Sequence, residues 1–512
     1  MDIDFSRNQF TDILTRCHNI IRDNDKLSPE AAFDETSKIL FIKIQRERTD
    51  GKAYTMAEYL QEKKDYQKNF AIEGMPYYQF IFRQTKERYK AEEIFDDYDT
   101  IKIREHSFEA IISCLGTLNL ATTDDDVKGI AFESFLGKTF RGELGQFFTP
   151  RVVVNFMVNI LLPQENELCC DPCCGSGGFL ISAFYDIRRK IEADETVSDA
   201  EKAARIAKLS TSCLFGVDAN ARMARVAKMN MIMHGDGHTC VYHHDGLLNV
   251  NGVFENRFDV IFTNPPFGSR VNKNLLISEA ERFTDEEKKR KNLQVYGPAY
   301  LDSLKQVDDH IGEPLLSLFH TGETINITEV LFIERCLNLL KPGGRMGIVL
   351  PDGVLSNDKL QPVREYIESR ARILLIISLP NDIFVSSGAA IKSSIMFFQK
   401  FTPTEEQNYL SILAEEGNRI DTLYSEQLEA LEVELNQAET KEEKSEVRGK
   451  LVKLRKRKHE ETFSSLRQRL NYEIPKGVLD EESVAKESIE TVLKEIENEY
   501  HRNWSKKKRR KG

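Results

Sequence analysis

The chain has 512 residues, of which 40% are hydrophobic and 30% charged, so it can fold into two to four domains with at least one sizeable core. It has no run approaching the roughly 20 apolar residues of a membrane span, and its first residues lack the features of a secretory signal. We therefore expect a cytoplasmic protein without membrane contact. The formal net charge of -11 argues against a protein that grips nucleic acid unaided through a broad positive field.

Residues 1–145 carry a helical pattern. Ser28-Pro29 is a helix start signal, and apolar residues follow it at helical spacing from Ala31 to Ile42. No repeated strand pattern is found in this region. The sequence therefore predicts a helical N-terminal domain over 1–145.

Residues 146–400 contain seven short apolar runs typical of strands, at 168–171, 214–218, 239–245, 260–263, 346–350, 373–379 and 394–398. Helical patterns lie between several of them, at 179–191, 219–234 and 328–340. This alternation predicts an α/β domain with a mostly parallel sheet covered on both faces. The connection between the last two strands is short and contains Ser386-Ser387-Gly388, which favours an antiparallel pair there.

Residues 401–512 form the third region, in which the strand pattern is lost. Leucines at three- and four-residue steps predict amphipathic helices, broken near Gly449 and again at Pro475. These helices either pack on their own domain or form a subunit contact, and the pattern leaves both open. The basic tail at 506–511 is expected to be a solvated end or a phosphate contact.

The chain has nine cysteines. Cys170 and Cys173 have zinc-ligand spacing, and further ligands could come from a second group, His234, His238, Cys240, His243 and His244. The favoured interpretation is that the cysteines are buried thiols in a reducing compartment. Cys173 and Cys174 fall inside a glycine-rich loop with a different purpose, so we expect no metal site.

Asn264-Pro265-Pro266-Phe267 directly follows the strand at 260–263, at the sheet edge where α/β proteins bind ligands. An exocyclic amine on adenine is a poor nucleophile because its lone pair is delocalised into the ring. The Asn264 side-chain oxygen and the Pro265 carbonyl could accept hydrogen bonds from its two N–H groups and so free the lone pair. The two prolines stiffen the loop that carries these acceptors. Phe267 offers an aromatic face to a base lifted out of the stack. The alternative is an ordinary Pro-Pro turn.

A second motif, Asp-Pro-Cys-Cys-Gly-Ser-Gly-Gly-Phe, runs from Asp171 to Phe179 between the first strand and a helix. Its glycines permit positive φ and a close ligand. Their spacing does not match G-x-G-x-x-G, and Asp218 lies too far away for a dinucleotide site. Asp171, Asp218 and Asp245 stand at three successive strand ends, which favours one shared ligand over three helix caps.

These motifs resemble the Rossmann-like class I amino-methyltransferases, and among them the modification (M) subunits of type I restriction–modification systems. The resemblance implies a seven-stranded sheet and S-adenosyl-L-methionine as cofactor. Asp171 would bind its amino group, Asp218 its ribose hydroxyls and Asp245 its adenine amine. The loop around its methionine end would include Gly175, Ser176 and Gly177.

Other segments extend the resemblance, which covers about residues 30–400. The stretch 142–150 is similar to the segment that precedes the first strand in M subunits, which implies that Phe148, Thr149 and Pro150 lie near the cofactor. Residues 27–33, 341–345 and 349–355 are also similar to M subunits. Residues 271–327 are longer than the family pattern, and we expect a mobile insertion there.

The resemblance implies direct methyl transfer to N6 of a flipped adenine in double-stranded DNA, without a covalent intermediate. It also implies a separate specificity (S) subunit and a complex of two copies of the chain with one S subunit. A restriction (R) subunit would join this complex where restriction accompanies modification. A protein-glutamine or RNA amino-methyltransferase and a catalytically idle scaffold are the alternatives.

Overall fold

A computed structural model describes residues 7–69, 72, 74–90, 94–120, 123, 125–140, 148–235, 240–381, 383–384, 391–470, 476–478 and 489–511. Across these residues, no helix is both long and apolar enough to cross a membrane. The expected domain boundary at residue 145 lies outside the described residues.

The described part of the N-terminal region contains six helices: α1 (Arg7–Asp25), α2 (Pro29–Asp50), α3 (Met56–Asn69), α4 (Tyr77–Arg88), α5 (Glu105–Leu115) and α6 (Asp125–Phe140). Helix α2 begins as predicted, because the Ser28 hydroxyl accepts a hydrogen bond from the Ala31 amide and Pro29 occupies the first turn. The helices share one apolar core with Met223 and Met229 of a helix that covers the sheet. The helical region is therefore joined to the sheet by apolar packing.

The sheet contains all seven predicted strands and a short eighth one. They are β1 (Cys169–Asp171), β2 (Leu214–Asp218), β3 (Cys240–His243), β4 (Phe258–Thr263), β5 (Leu340–Pro351), β6 (Ala371–Ser378), β7 (Ser393–Lys400) and β8 (Lys476–Val478). Their order is β3-β2-β1-β4-β5-β7-β6-β8. The first five strands are parallel, and β7 is antiparallel to both β5 and β6. The predicted antiparallel pair is thus confirmed, although its connection at 386–388 lies outside the described residues.

Helices cover both faces of the sheet, as the strand–helix alternation predicts. They are α7 (Arg151–Leu161), α8 (Gly178–Glu192), α9 (Asp199–Ser212), α10 (Ala221–Met233), α13 (Thr328–Leu339), α14 (Asp352–Ser356) and α15 (Gln361–Glu368), while α11 (Glu286–Tyr296) and α12 (Ala299–Asp308) belong to the segment 271–327. One core lies between α7, α8 and one face of the sheet, and a second between α13, α15 and the other face. Adjacent residues of β1 divide between them, with Cys169 in the first core and Cys170 in the second.

The expected mobile insertion at 271–327 is instead a packed segment. It contains α11, α12 and three short 3₁₀ turns, and the backbones of Arg270 and Ile327 bridge its two ends. Ile277, Val307 and Phe319 of this segment pack with Leu331 of α13 in a small core of their own. Burial of these apolar side chains stabilises the folded segment.

The C-terminal region contains α16 (Pro403–Gln437), α17 (Lys441–Arg469) and α18 (Ile489–Lys511). The predicted break near Gly449 is wrong. Helix α17 begins earlier, where Thr440 and Glu443 form a capping box, and it continues through Gly449. The second predicted break, at Pro475, lies outside the described residues.

The end of the chain returns to the sheet. Strand β8 pairs with the outer side of β6, and α18 lies against α7, where Asn159 donates to Glu497 (3.1 Å) and His501 contacts the Asn159 carbonyl (2.9 Å). Leu493 of α18 is buried in the core between α7, α8 and the sheet. The third region is therefore partly integral to the sheet domain.

This packing predicts that Leu493→Ala destabilises the protein. Leu493 is 2% exposed, and truncating a buried leucine costs about 2–5 kcal/mol. Leu423→Ala on α16 is the matched control, because Leu423 is 60% exposed and should cost no more than about 0.5 kcal/mol. Urea unfolding measures both, and equal losses would contradict the placement of α18.

Candidate active site

Four neighbouring strand ends form the candidate site. The parallel order β3-β2-β1-β4 brings the carboxyl ends of these strands to one edge of the sheet. Asp171 ends β1, Asp218 ends β2 and Thr263 ends β4, while Asp245 follows β3 by two residues. The sheet thus brings together side chains that are more than 90 residues apart in sequence.

The glycine-rich loop after β1 is held by hydrogen bonds to β2. The Cys174 amide donates to the Val217 carbonyl (2.9 Å), and the Gly175 amide donates to the Asp218 carboxylate (3.0 Å). Gly175 has φ +53°, and a Cβ added there would meet no other atom within 4 Å. The loop therefore presents backbone, rather than side chains, to open space.

Gly177, which is expected near the cofactor, also contacts α10. Its φ is +81°, and a Cβ added there would face Ala227 of α10 at 3.4 Å. The left-handed backbone conformation therefore favours glycine here, while the distance to Ala227 is an ordinary van der Waals contact. The Asn230 side-chain amide donates to the Ser176 carbonyl (3.0 Å), which fixes the same turn on α10.

Asp171 is buried and joins the loop to β4. Its Oδ1 accepts hydrogen bonds from the Cys173 amide (3.1 Å) and from the Thr263 hydroxyl (2.7 Å). Burial raises the pKa of Asp171 to about 7, and the Asp218 carboxyl adds to the rise, while the two hydrogen bonds oppose it. The carboxyl is therefore poised to ionise close to neutral pH.

Asp218 and Asp245 each hold the backbone that follows their strands. Asp218 accepts from the Asn220 amide (2.8 Å) in addition to Gly175, and burial raises its pKa. Asp245 accepts from the Leu247 amide (2.9 Å). Both side chains are partly exposed, so each anchors local structure and still reaches the surface of the site.

The segment after Asp245 depends on two residues that the sequence analysis missed. A Cβ on Gly246 would overlap the Pro172 carbonyl oxygen of the glycine-rich loop, so only glycine fits where the two loops cross. Arg335 of α13 is fully buried and donates to the Gly246 carbonyl (3.0 Å), the Leu248 carbonyl (2.6 Å) and the Asn249 side chain (2.8 Å). These bonds compensate the cost of burying its charge.

Asn264 is held with its side-chain oxygen uncommitted. Its Nδ2 donates to the Thr149 hydroxyl (3.0 Å). Its Oδ1 is shielded from solvent and has no hydrogen-bond partner in the part of the chain that the structure describes. A buried acceptor without a partner is costly and calls for a functional explanation.

The rest of the Asn-Pro-Pro-Phe motif is anchored by packing and by α13. Pro265 is buried and Pro266 is exposed. Phe267 is partly buried, with its ring edge-to-face with Phe384 at 6.4 Å. The next amide, of Gly268, donates to both oxygens of Glu329 (3.3 and 3.2 Å). The motif is therefore a fixed loop.

The three residues before α7, Phe148 to Pro150, differ in what they contact. Phe148 packs against the core of the N-terminal helices. Thr149 contacts Asn264, and Pro150 is the N-cap residue of α7. Thr149 is therefore directly linked to the Asn-Pro-Pro-Phe motif.

The cysteines are not arranged as a metal site. Cys169 and Cys170 point to opposite faces of the sheet, and the Cys173 thiol contacts the Thr263 hydroxyl (2.8 Å). Among the described residues, which exclude His238, no group of three or more His, Cys, Asp and Glu side chains could hold a metal ion. Cys170 and Cys173 have the sequence spacing of zinc ligands, but among the described residues no further ligands are arranged around them.

Comparison with known proteins identifies the family. A family model described as N-6 DNA methylase matches residues 123–303 and 319–463, which is more than half of the chain. The chain belongs to the N-6 DNA methylase family. The predicted resemblance to M subunits and the expected cofactor, S-adenosylmethionine, are confirmed with it.

Relatives within the family include methylase subunits of type I restriction enzymes. The EcoEI subunit of Escherichia coli is 29% identical over 267 residues, which are 52% of this chain and 44% of that one. The StySPI subunit of Salmonella potsdam is 23% identical over 413 residues, or 77% and 68% of the two chains. The match thus spans less than half of the EcoEI subunit.

Solved structures share the fold. A chain from a type I restriction–modification system, studied for its complex assembly, has a TM-score of 0.50 at 21% identity and covers 78% of this chain and 75% of its own. A modification subunit of a proposed type I restriction enzyme from Vibrio vulnificus has a TM-score of 0.53 at 19% identity and covers 78% of this chain and 82% of its own. These similarities show a shared fold, a mixed sheet with helical flanks.

The site residues fit S-adenosylmethionine. The loop offers open space over Gly175, and the carboxyl groups of Asp171, Asp218 and Asp245 are acceptors suited to amino and hydroxyl groups. Asp218 and Asp245 reach the surface of the site from adjacent strand ends.

Gly246→Ala should weaken cofactor binding at least about tenfold. The added methyl group must displace the Pro172 carbonyl, and with it the glycine-rich loop. Calorimetric titration of the full chain with the cofactor measures the effect. Gly417→Ala on α16 is the matched control, since its Cβ would meet nothing within 4 Å. Equal affinities for the two variants would contradict the loop crossing.

Cofactor affinity should rise with pH. If Asp171 holds the amino group of the cofactor, as the resemblance implies, the carboxylate that this ammonium group needs is present mainly above about pH 7, because the pKa of Asp171 is raised to about 7. Between about pH 5.5 and about pH 7.5 the affinity should rise on the order of tenfold. Calorimetry across this range measures the slope, which Asp171→Asn should abolish. A slope retained in that variant would assign the titration to another group.

Proposed function

We propose that this chain is the methylation subunit of a type I restriction–modification complex and transfers a methyl group to N6 of adenine in double-stranded DNA. The observation that carries the proposal is the buried Oδ1 of Asn264, which has no partner among the described residues. An exocyclic amine is a donor that would satisfy it. The relatives and the family point to DNA as the substrate class.

The chain's own residues divide the work between binding and activation. Asp171, Asp218 and Asp245 would hold the cofactor together with the backbone of Gly175, Ser176 and Gly177. When bound, S-adenosylmethionine supplies an electrophilic methyl group on its sulfonium. Asn264 Oδ1 and the Pro265 carbonyl would accept hydrogen bonds from the two N–H groups of the target amine. These hydrogen bonds would favour a tetrahedral nitrogen whose lone pair is available for attack.

Phe267 and the two prolines would hold the flipped base in position. The Phe267 ring is partly buried against Phe384, which leaves part of it for contact with a flipped base. The hydrogen bonds from the Gly268 amide to Glu329 hold the end of the motif. Positioning of this kind, made before the base arrives, lowers the cost of reaching the transition state.

Sequence specificity would come from a partner. The net charge of -11 gives the lone chain a weak electrostatic attraction to DNA. Within the C-terminal region, α18 is already packed on α7. The proposed contact with the S subunit is therefore the antiparallel pair of helices α16 and α17. This hairpin exposes Leu423, Val433 and Val452. The assembly would contain two copies of this chain and one S subunit, and an R subunit where restriction accompanies modification.

Asn264→Ala should reduce methyl transfer by about 10²–10³, by analogy with loss of one preorganised polar group. The cofactor affinity should stay within a few-fold, because Asn264 contacts Thr149 rather than the glycine-rich loop. A methyl-incorporation assay and calorimetry measure the two effects. Asn166→Ala, on the exposed opposite edge of the sheet, is the matched control. Near-normal transfer by Asn264→Ala would overturn the assignment.

The isolated chain should fail to methylate DNA at a specific site, and addition of the S subunit from the neighbouring gene should restore site-selective methylation. Sequencing of methylated adenines in the two reactions compares them. Leu423→Asp together with Val433→Asp should weaken assembly, because charges would replace apolar contacts. Site-specific methylation by the lone chain would contradict the need for a partner, and full assembly of the double variant would contradict only the hairpin contact.

A further inference from the structure

We infer that Glu281, in the segment 271–327, positions Asp245 through His244 and so sets the preference of the chain for a cofactor with an adenine base. The inference rests on the role proposed for Asp245, whose carboxylate would accept a hydrogen bond from the adenine amine. It deepens that role by giving the segment 271–327 a function. The observation is the contact between His244 Nε2 and the Glu281 carboxylate, at 2.8 Å.

The orientation of the Asp245 carboxylate depends on the backbone around it. Its Oδ1 accepts a hydrogen bond from the Leu247 amide (2.9 Å). A carboxylate that selects an exocyclic amine must hold an oxygen within about 3 Å of the nitrogen and in line with its N–H. A displacement of the backbone beside Asp245 would therefore weaken the hydrogen bond to the adenine amine.

His244 connects this backbone to Glu281. Its amide donates to the Asp218 carbonyl of β2 (3.1 Å), and its ring places Nδ1 3.2 Å from the Asp245 carbonyl oxygen and Nε2 2.8 Å from Glu281. Both ring partners are acceptors, so the doubly protonated ring can donate to both at once. In that form His244 links the Glu281 carboxylate directly to the backbone of Asp245.

The segment 271–327 also holds the backbone on the C-terminal side of this aspartate. Gln306 accepts a hydrogen bond from the Asn249 amide (2.8 Å), and the Asn249 side chain donates to the Ser303 carbonyl (3.0 Å). Leu248 is 3% exposed and is buried in the apolar core of the segment. The segment therefore anchors the strand end on both sides of the carboxylate, and Glu281 provides the anchor on the N-terminal side.

The test compares two ligands that differ at the adenine amine, S-adenosylhomocysteine and S-inosylhomocysteine. Inosine carries a carbonyl oxygen where adenosine carries the amine, so it offers the Asp245 carboxylate no N–H at that position. Calorimetry on the full wild-type chain should give a Kd for the adenosine compound at least about tenfold below that for the inosine compound, the size expected for one hydrogen bond to a charged group.

In Glu281→Ala this preference should fall at least about threefold, as for partial loss of that hydrogen bond. Glu279→Ala is the matched control, because Glu279 lies in the same 3₁₀ turn and pairs with Arg282 (2.7 Å). The control should keep the wild-type preference. A loss of stability alone would weaken both ligands in parallel, so the ratio of the two Kd values separates positioning of Asp245 from folding.

A double-mutant cycle tests whether Glu281 acts through His244. Adding Glu281→Ala to His244→Ala should lower the preference by less than about 1.5-fold, since the link is already broken. Additive losses, an unchanged preference in Glu281→Ala, or parallel weakening of both ligands would each overturn the inference.

The calorimetric readout needs no DNA, so it separates this inference from the proposed function. A wild-type chain without the preference would overturn the inference together with the role of Asp245. The expected preferences in a chain whose complex with the S subunit methylates no adenine would support the inference and overturn the proposed function alone.

Discussion

The hydrogen bond from the Thr263 hydroxyl to Asp171, 2.7 Å long, is the constraint on which the site depends. It crosses from the last residue of β4 to the last residue of β1, and 92 positions separate the two residues in the sequence. Thr263 immediately precedes Asn264, and Asp171 opens the glycine-rich loop. One buried bond thus fixes the distance between the segment that would hold the cofactor and the segment that would hold the target amine, while parallel pairing of Cys170 with Ile261 fixes their register.

The remaining anchors come from elements outside the two motifs. Arg335 and Glu329 both lie on α13, and they hold the segment after β3 and the end of the Asn-Pro-Pro-Phe motif respectively. Thr149 approaches Asn264 from the start of α7. Each anchor buries polar or charged groups, which is costly unless they are hydrogen-bonded. Once satisfied, such a network resists small displacements of the groups that it holds, which is the requirement for transfer by positioning.

The sheet and the main site residues could be predicted from the sequence because their signals are local. Short apolar runs marked all seven strands, and Asp171, Asp218 and Asn264 were recognisable because each follows such a run. Arg335 could not be found in this way, since its role depends on carbonyl groups about 90 residues earlier in the chain. Gly246 was missed for the same reason, because the oxygen that excludes a side chain there belongs to Pro172. The three residues of β8 are too few to show a periodic pattern.

Errors in the C-terminal region and in the segment 271–327 have different causes. Gly449 was taken as a helix break, yet a glycine in an exposed helix costs only about 1 kcal/mol, which the rest of α17 can offset. The real boundary carried a readable signal, the capping box of Thr440 and Glu443. The insertion was expected to be mobile because it is longer than the family pattern, but its apolar residues pack with Leu331 of α13 in a common core.

The most direct test of the account is the identity of the methylated product. The complex of this chain with its S subunit should be incubated with unmethylated double-stranded DNA and S-adenosylmethionine labelled in the methyl group, and the digested nucleosides should be analysed by mass spectrometry. We expect the label in N6-methyldeoxyadenosine. Label in a methylated cytosine, label in protein alone, or no transfer by a complex that binds the cofactor would contradict it.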